Sequence, residues 1–284
     1  ESLILSLANP QADEMADSSP MYAPSFGVIW PLRRCTLGFG AFGVQGNEVN
    51  YPRSRSLPGV RGDNSDRRAE LQVVKFPLSI ARRLDNGWAV GAALVGVFTR
   101  LRTDSLTLQL VPTEGDYKWD ESYGFGFKLS LYKKWDQWSF GATYTTRQWT
   151  TTLDEYDDLV EYHLDFPQQI QVGMAYRPIR KLELLLDYKF IDWSSISVLG
   201  KDTIYGGLGW NDQHIVKAGL SYKLTKSFTL RGGVSYGEEP IPGDSVFTNV
   251  LFPAILETHF SLGLSYALGK RHELHFAYVH SLKN

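Results

Sequence analysis

The sequence lacks any run of about 18 or more consecutive apolar residues, so no segment is suited to cross a bilayer as a helix. It has a single cysteine, Cys35, which excludes an internal disulfide framework. With no supporting motif beside it, Cys35 reads as a passive strand residue, not as a nucleophile. An excess of one charge is also missing. The 29 Lys and Arg stand against 31 Asp and Glu, a net charge of −2, and nothing in that balance points to nucleic acid. No signal peptide is present, and the start Glu1-Ser2-Leu3 reads as processed or trimmed. What the chain does have is aromatic residues and glycine: 8 Trp, 15 Tyr, 15 Phe and 26 Gly in 284 residues. That composition fits a membrane β-barrel, whose lipid face takes only every second residue. It equally fits a soluble β-sandwich, so composition does not choose.

Patterning chooses. Leu182, Leu184, Leu186, Tyr188 and Phe190 occupy one parity of a segment whose other parity carries Glu183, Asp187 and Lys189. Period two of this kind marks a strand with one apolar and one polar face. The pattern recurs at Tyr123–Leu131, Phe228–Tyr236 and Phe260–Tyr266. Twelve such segments follow one another, at 24–31, 35–49, 69–84, 87–103, 119–133, 137–150, 163–177, 181–193, 213–223, 227–237, 254–267 and 271–281. Many are longer than the ~5–6 residues of globular strands and reach the ~9–11 that a tilted transmembrane strand needs. Short turns alternate with long polar loops at 50–68, 104–118, 151–162, 194–212 and 238–253. All tight turns therefore lie at one end, as in outer-membrane barrels with periplasmic turns and extracellular loops. A Greek-key sandwich would mix its connections. Trp30, Trp88, Trp135 and Trp138 flank short turns, while Trp119, Trp149, Trp193 and Trp210 lie toward the long loops. Two such sets fit interfacial girdles. The fold class expected is all-β, an antiparallel transmembrane β-barrel, with residues 1–284 as one domain.

Strand parity assigns Lys75, Lys128, Asp187, Lys189, Lys217, Arg231, His259 and His275 to the lumen. Cations outnumber carboxylates there, which offers charge-assisted donors to a carboxylate-bearing amphiphile. The alternative is that they pair with lumen acids and hold the barrel together. Gly38, Gly40, Gly43 and Gly46 punctuate one strand. Glycine weakens a strand and marks bends and bulges, so this strand can hold a lateral opening, or its small residues can make room for a plug. Gly38-Phe39-Gly40 is not a phosphate loop, because no helix follows it. No Ser/His/acid spacing stands out, and no enzymatic activity is expected. His259 with His275 could hold a metal across neighbouring strands only as a minor reading; a structural role is preferred. The acidic run Asp154, Glu155, Asp157, Asp158 and Glu161 reads as a solvated loop before it reads as a calcium site.

The C-terminal third carries a family resemblance. Gly209-Trp210-Asn211-Asp212-Gln213, Val216-Lys217-Ala218-Gly219-Leu220-Ser221-Tyr222, Phe228-Thr229-Leu230-Arg231-Gly232-Gly233, Pro240-Ile241-Pro242 and Phe252-Pro253-Ala254-Ile255 occur in the order seen in outer-membrane long-chain fatty acid transporters. That family also includes importers of aromatic hydrocarbons. Upstream, Pro24-Ser25-Phe26-Gly27-Val28 and Asn86-Gly87-Trp88 fit the same pattern. The resemblance implies a fourteen-stranded barrel with an N-terminal hatch. It also implies passive uptake of hydrophobic molecules and sideways exit through a kinked third strand, here the one carrying Gly38 to Gly46. The family's hatch and first strand are not evident. Asn9-Pro10 only superficially matches the hatch motif, and His280-Ser281-Leu282-Lys283-Asn284 lacks the terminal aromatic strand. The twelve strands would be the second to thirteenth of fourteen in a trimmed chain, or those of a natural twelve-strand variant; missing segments are the expectation. Within the lumen set, Lys217 and Arg231 are the preferred ligand contacts, followed by Lys128, Lys75 and His259. No cofactor is expected. The partners implied are a hydrophobic small molecule and the lipid and lipopolysaccharide of a Gram-negative outer membrane; a monomer is expected. A non-transporting structural or secretion-adaptor barrel is the alternative function, and a general porin a third.

Overall fold

The computed structural model describes residues 23–51, 67–103, 118–156, 163–246, 249, 254, 256–269 and 272–282. The strands are β1 (Ser25–Pro31), β2 (Thr36–Tyr51), β3 (Arg67–Arg83), β4 (Trp88–Thr103), β5 (Asp120–Lys134), β6 (Trp138–Thr145), β7 (Trp149–Thr150), β8 (Gln169–Ile179), β9 (Leu182–Ile191), β10 (Gln213–Lys223), β11 (Phe228–Gly237), β12 (Thr258–Leu268) and β13 (His272–Ser281). Leaving aside the two-residue β7, which adds to β5, each strand pairs antiparallel with the next in one continuous ladder from β1 to β13. No helix among the described residues is long and apolar enough to cross a membrane.

Three expected segments are revised, one of them the eleventh, 254–267, whose strand begins only at Thr258. The sixth, 137–150, breaks after Thr145, where Thr146–Gln148 leave the ladder before β7 resumes on Gly124 and Phe125. The seventh begins at Gln169 instead of residue 163. Buried Pro167 has no N–H for a ladder, and Gln148 and Phe166 exchange backbone hydrogen bonds of 2.9 and 3.0 Å outside the named strands.

Tight turns close one end. Leu32 N–H donates to the Cys35 carbonyl, Leu84 N–H to that of Trp88 and Trp135 N–H to that of Trp138, each at 2.8 Å. Asn86 and Gly87 carry φ of 56° and 77°, the left-handed backbone that an Asn-Gly turn supplies at least steric cost. The side chains are inverted relative to a soluble domain. Phe39, Phe76, Leu78, Ile80, Leu94, Phe125, Phe127, Leu129, Leu184, Leu186, Leu220 and Leu230 are exposed and share the outward parity. A dozen large apolar side chains in register on one face is a lipid-facing band. The expected girdles are half confirmed. Trp30, Trp88, Trp135 and Trp138 are exposed at the tight-turn end and Trp149 at the other. Trp193 and Trp210 instead pack edge-on, 5.1 Å apart, inside the loop cap, where Trp210 Nε1 donates to Asn249 Oδ1 at 2.6 Å.

Candidate functional site

The inner face of β3 and β4 does not follow the polar-lumen pattern. Leu71, Val73, Val95, Val97 and Leu101 point inward and are buried. Period two weakens along this stretch, because both parities carry apolar residues at Val73–Val74 and at Val95–Phe98. Their cover comes from the long connection after β6: Leu153 is buried against them, with Leu164 and Phe166 packed alongside. Asp165 anchors that cover. It accepts from Arg147 Nε at 2.7 Å, from the Thr150 N–H at 2.8 Å and from the Thr150 hydroxyl at 3.1 Å.

Lys75 stands where this apolar wall ends, opposite Val97 on β4 and Phe42 on β2. Its ammonium sits 4.6 Å from the centre of the Phe166 ring, within cation–π range. The charge of Lys75 is felt by Lys128 and Lys189, and that of Lys189 also by Lys217. Five ladder steps separate β3 from β9, about 24 Å in a flat sheet. The lysines can meet only because the wall curves around a lumen. Of the ligand contacts expected, Lys75, Lys128 and Lys217 therefore converge, together with Lys189. Asp187, opposite Lys217 in the β9–β10 ladder, is the carboxylate that shares this level.

Arg231 lies apart from that group, whereas His259 stands level with Lys217, two strands along with Ser235 between them. Arg231 donates to Ser265 Oγ, which is 2.7 Å from His275 Nδ1; Glu273 is 3.9 Å from His275 Nε2. Sequence spacing did not reveal this Ser, His and acid cluster. Ser265 is only 1% exposed and already accepts from Arg231, so an acyl carbonyl has no route to its oxygen. His259 pairs opposite Ser281 and His275 opposite Ser265, six residues apart on β12. That is about 20 Å along a strand, which removes the two-histidine metal reading. No metal-ligand cluster occurs among the described residues. Of the acidic loop run, Asp157, Asp158 and Glu161 fall outside the described residues. Asp154 and Glu155 are exposed, and the Glu155 N–H donates to Asp120.

The glycine-rich strand is β2. Its pairing with β1 is regular from Ser25–Phe42 to Pro31–Thr36. Its pairing with β3 lapses between Phe39–Leu78 and Phe42–Lys75, and slips again between Gly43 and Gln45. The first lapse puts Gly40 and Ala41 opposite Pro77 and Phe76, and Pro77 has no N–H to donate. The slip leaves Val44 as an extra residue, a β-bulge, with its side chain 51% exposed. A Cβ on buried Gly40 would collide with the Phe42 ring. Gly38 and Gly46 stay in the ladder, opposite Ser79 and Gln72.

An outward apolar band, aromatic rims, tight turns at one end and a cationic lumen define an antiparallel transmembrane β-barrel of the outer membrane. Within that class, residues 7–284 match the family described as outer membrane protein transport protein (OMPP1/FadL/TodX), and the chain belongs to it. It is 22% identical over 267 aligned residues to the long-chain fatty acid transport protein of Escherichia coli O6:H1, covering 75% of this chain. The chain spans 58% of that relative's length. Among solved structures, the toluene transporter TbuX of Ralstonia pickettii superposes with a TM-score of 0.72 at 19% identity, over 94% of this chain and 78% of that one. The toluene transporter TodX of Pseudomonas putida does so at 0.69 and 18%, with the same coverage.

Proposed function

We propose that this barrel is a passive channel that carries hydrophobic molecules across the outer membrane and releases them sideways between β2 and β3, near Gly38 to Gly46. The relatives named for fatty acid and for toluene support the general class of cargo. One observation favours a carboxylate-bearing amphiphile: Lys75 stands at the junction of the apolar inner wall, the lysine group and the interrupted β2–β3 ladder. A fatty acid would lay its chain along the cover over Val73, Val95 and Val97, beside the half-buried Phe166, and its carboxylate among Lys75, Lys128, Lys189 and Lys217. Charge-assisted hydrogen bonds favour that headgroup over an uncharged one. A bulge beside a proline is where a strand pair opens at least cost, because the backbone groups there are already unpaired. No cofactor takes part, since flux runs down a gradient.

Uptake of labelled oleate and of toluene by vesicles carrying the full protein tests this reading. Lys75→Met with Lys128→Met is expected to weaken oleate binding about tenfold or more and to leave toluene unchanged. Deleting Val44 restores the register and is expected to abolish uptake while binding persists. Uptake no faster than in protein-free vesicles would overturn the channel, and wild-type uptake after the Val44 deletion would overturn the lateral route.

A further inference from the structure

The two ends of the barrel differ in charge, and the transport reading makes no use of that difference. At the tight-turn end, three consecutive turns carry Arg33, Arg34, Arg82, Arg83, Lys133 and Lys134. Against these six cations stand Asp85 and Asp136, and none of the six is in an ion pair among the described residues. All but Lys133 are exposed. Arg82 lies opposite Val90 and Lys133 opposite Trp88, so both share the lipid-facing parity of their strands. Lys133 is also fixed in place. Its ammonium donates to the Asn86 carbonyl and lies 5.0 and 5.4 Å from the ring centres of Trp88 and Trp135. Exposed Trp30 and Trp138 complete a rim of four tryptophans on the same three turns.

Tryptophan rings mark the headgroup level of a leaflet, and long cationic side chains reach from that level to phosphate. The tight turns face the periplasm, so this rim meets the inner, phospholipid leaflet and not the lipopolysaccharide outside. We infer that the rim formed by the first three turns is a binding site for the phosphodiester headgroup of an anionic phospholipid in the periplasmic leaflet. Phosphatidylglycerol and cardiolipin are the headgroups of that chemistry, and a zwitterionic phosphatidylethanolamine offers no net charge to six cations that have no ion-pair partner among the described residues. The inference rests on the membrane orientation alone and stands whether or not the β2–β3 seam opens.

Native mass spectrometry of the full-length protein in detergent, titrated with dioleoyl phosphatidylglycerol or dioleoyl phosphatidylethanolamine, tests it. One cation near an anionic lipid surface is worth roughly fivefold in binding. The first phosphatidylglycerol is therefore expected to bind at least about fivefold tighter than phosphatidylethanolamine, and less so as salt rises. The variant Arg33→Gln/Arg34→Gln/Arg82→Gln/Arg83→Gln should lose that preference. A control, Lys223→Gln/Lys226→Gln, removes two exposed cations from a tight turn elsewhere on the rim and should keep it. Arg82→Gln alone gives a partial loss and covers the case in which the quadruple variant does not assemble. Equal binding of the two lipids overturns the proposal. So does a preference that survives all four substitutions, or one lost equally in the control.

Discussion

The wall formed by β2, β3 and β4 and the wall formed by β8 to β13 are built from the same alternation but solve different problems. The first has strands of 16 or 17 residues, an apolar inner face covered by chain from the long connection after β6, and one interrupted seam. The second has strands of 10 or 11 residues and an inner face of small and charged side chains. Its pairing is continuous apart from one slip at the β8–β9 turn. A lumen wall exposed to water needs only solvation. A lumen wall that buries valine and leucine has a packed interior of its own, so it tolerates less change and can shape a binding surface.

The sharpest way to break this comparison is to place the same charge on both inner faces. Val73 is 1% exposed within the β3–β4 cluster, and Val73→Asp would bury an unpaired carboxylate, at a cost of about 3–5 kcal/mol. Ser235 on β11 lies opposite Lys217 and His259, and Ser235→Asp gains the Lys217 ammonium as a neighbour there. It should change stability by less than about 0.5 kcal/mol. Urea unfolding in lipid vesicles, followed by tryptophan emission, reads both. Equal midpoints for the two variants would show that the inner wall of β3 and β4 is wet after all.

Next in size is the anchor of the cover. Asp165→Ala leaves Arg147 without its carboxylate and the Thr150 N–H without an acceptor, in a site where Asp165 is 6% exposed. A loss of about 2–3 kcal/mol is expected, with stronger binding of an apolar fluorescent dye as Leu153 and Phe166 lift from the wall. Asp165→Asn keeps an acceptor for Thr150 and should lose roughly half as much. If dye binding does not change, the cover is held by its apolar contacts and not by Asp165.

Much of the plain wall was legible in the sequence, because lipid on one side and water on the other force polarity to alternate. Segments such as 213–223 and 227–237 agree with β10 and β11 to within a residue. The special wall was less legible for the same reason. Where the inner face of β3 and β4 is apolar, Val73 and Val74 look alike, and only Lys75, two residues on, marks Val73 as the inward one. The contacts of Leu153 and Phe166 are non-local, so 151–168 read as a polar loop followed by a strand. Gly38 to Gly46 marked the strand able to bend, but the extra residue, Val44, follows only from its register against β3 and from Pro77 across the seam. Lys75, Lys128 and Lys217 were assigned to the lumen by parity. That they meet, with Lys189 added, depends on how the wall curves. Arg231 was singled out by its neighbourhood in the sequence, and it lies instead against Ser265.

The smallest effect tests whether the plain wall depends on its ion pairs. Arg177 and Glu183 form a pair near the tight-turn end of β8 and β9, with side chains 36% and 29% exposed. A pair this open to water gains little: solvent screens the attraction, and ordering two long side chains costs entropy. Arg177→Ala is therefore expected to cost less than about 1 kcal/mol. Most of that loss should disappear at high salt, since exposed charges are screened within a few ångströms there. The β8–β9 ladder keeps its own backbone hydrogen bonds, and Leu184 and Leu186 keep their lipid contacts, so nothing else depends on the pair. A loss as large as that of Asp165→Ala would mean that charge pairing stabilises the plain wall as strongly as packing stabilises the other, and the contrast between the two walls would then be one of shape only.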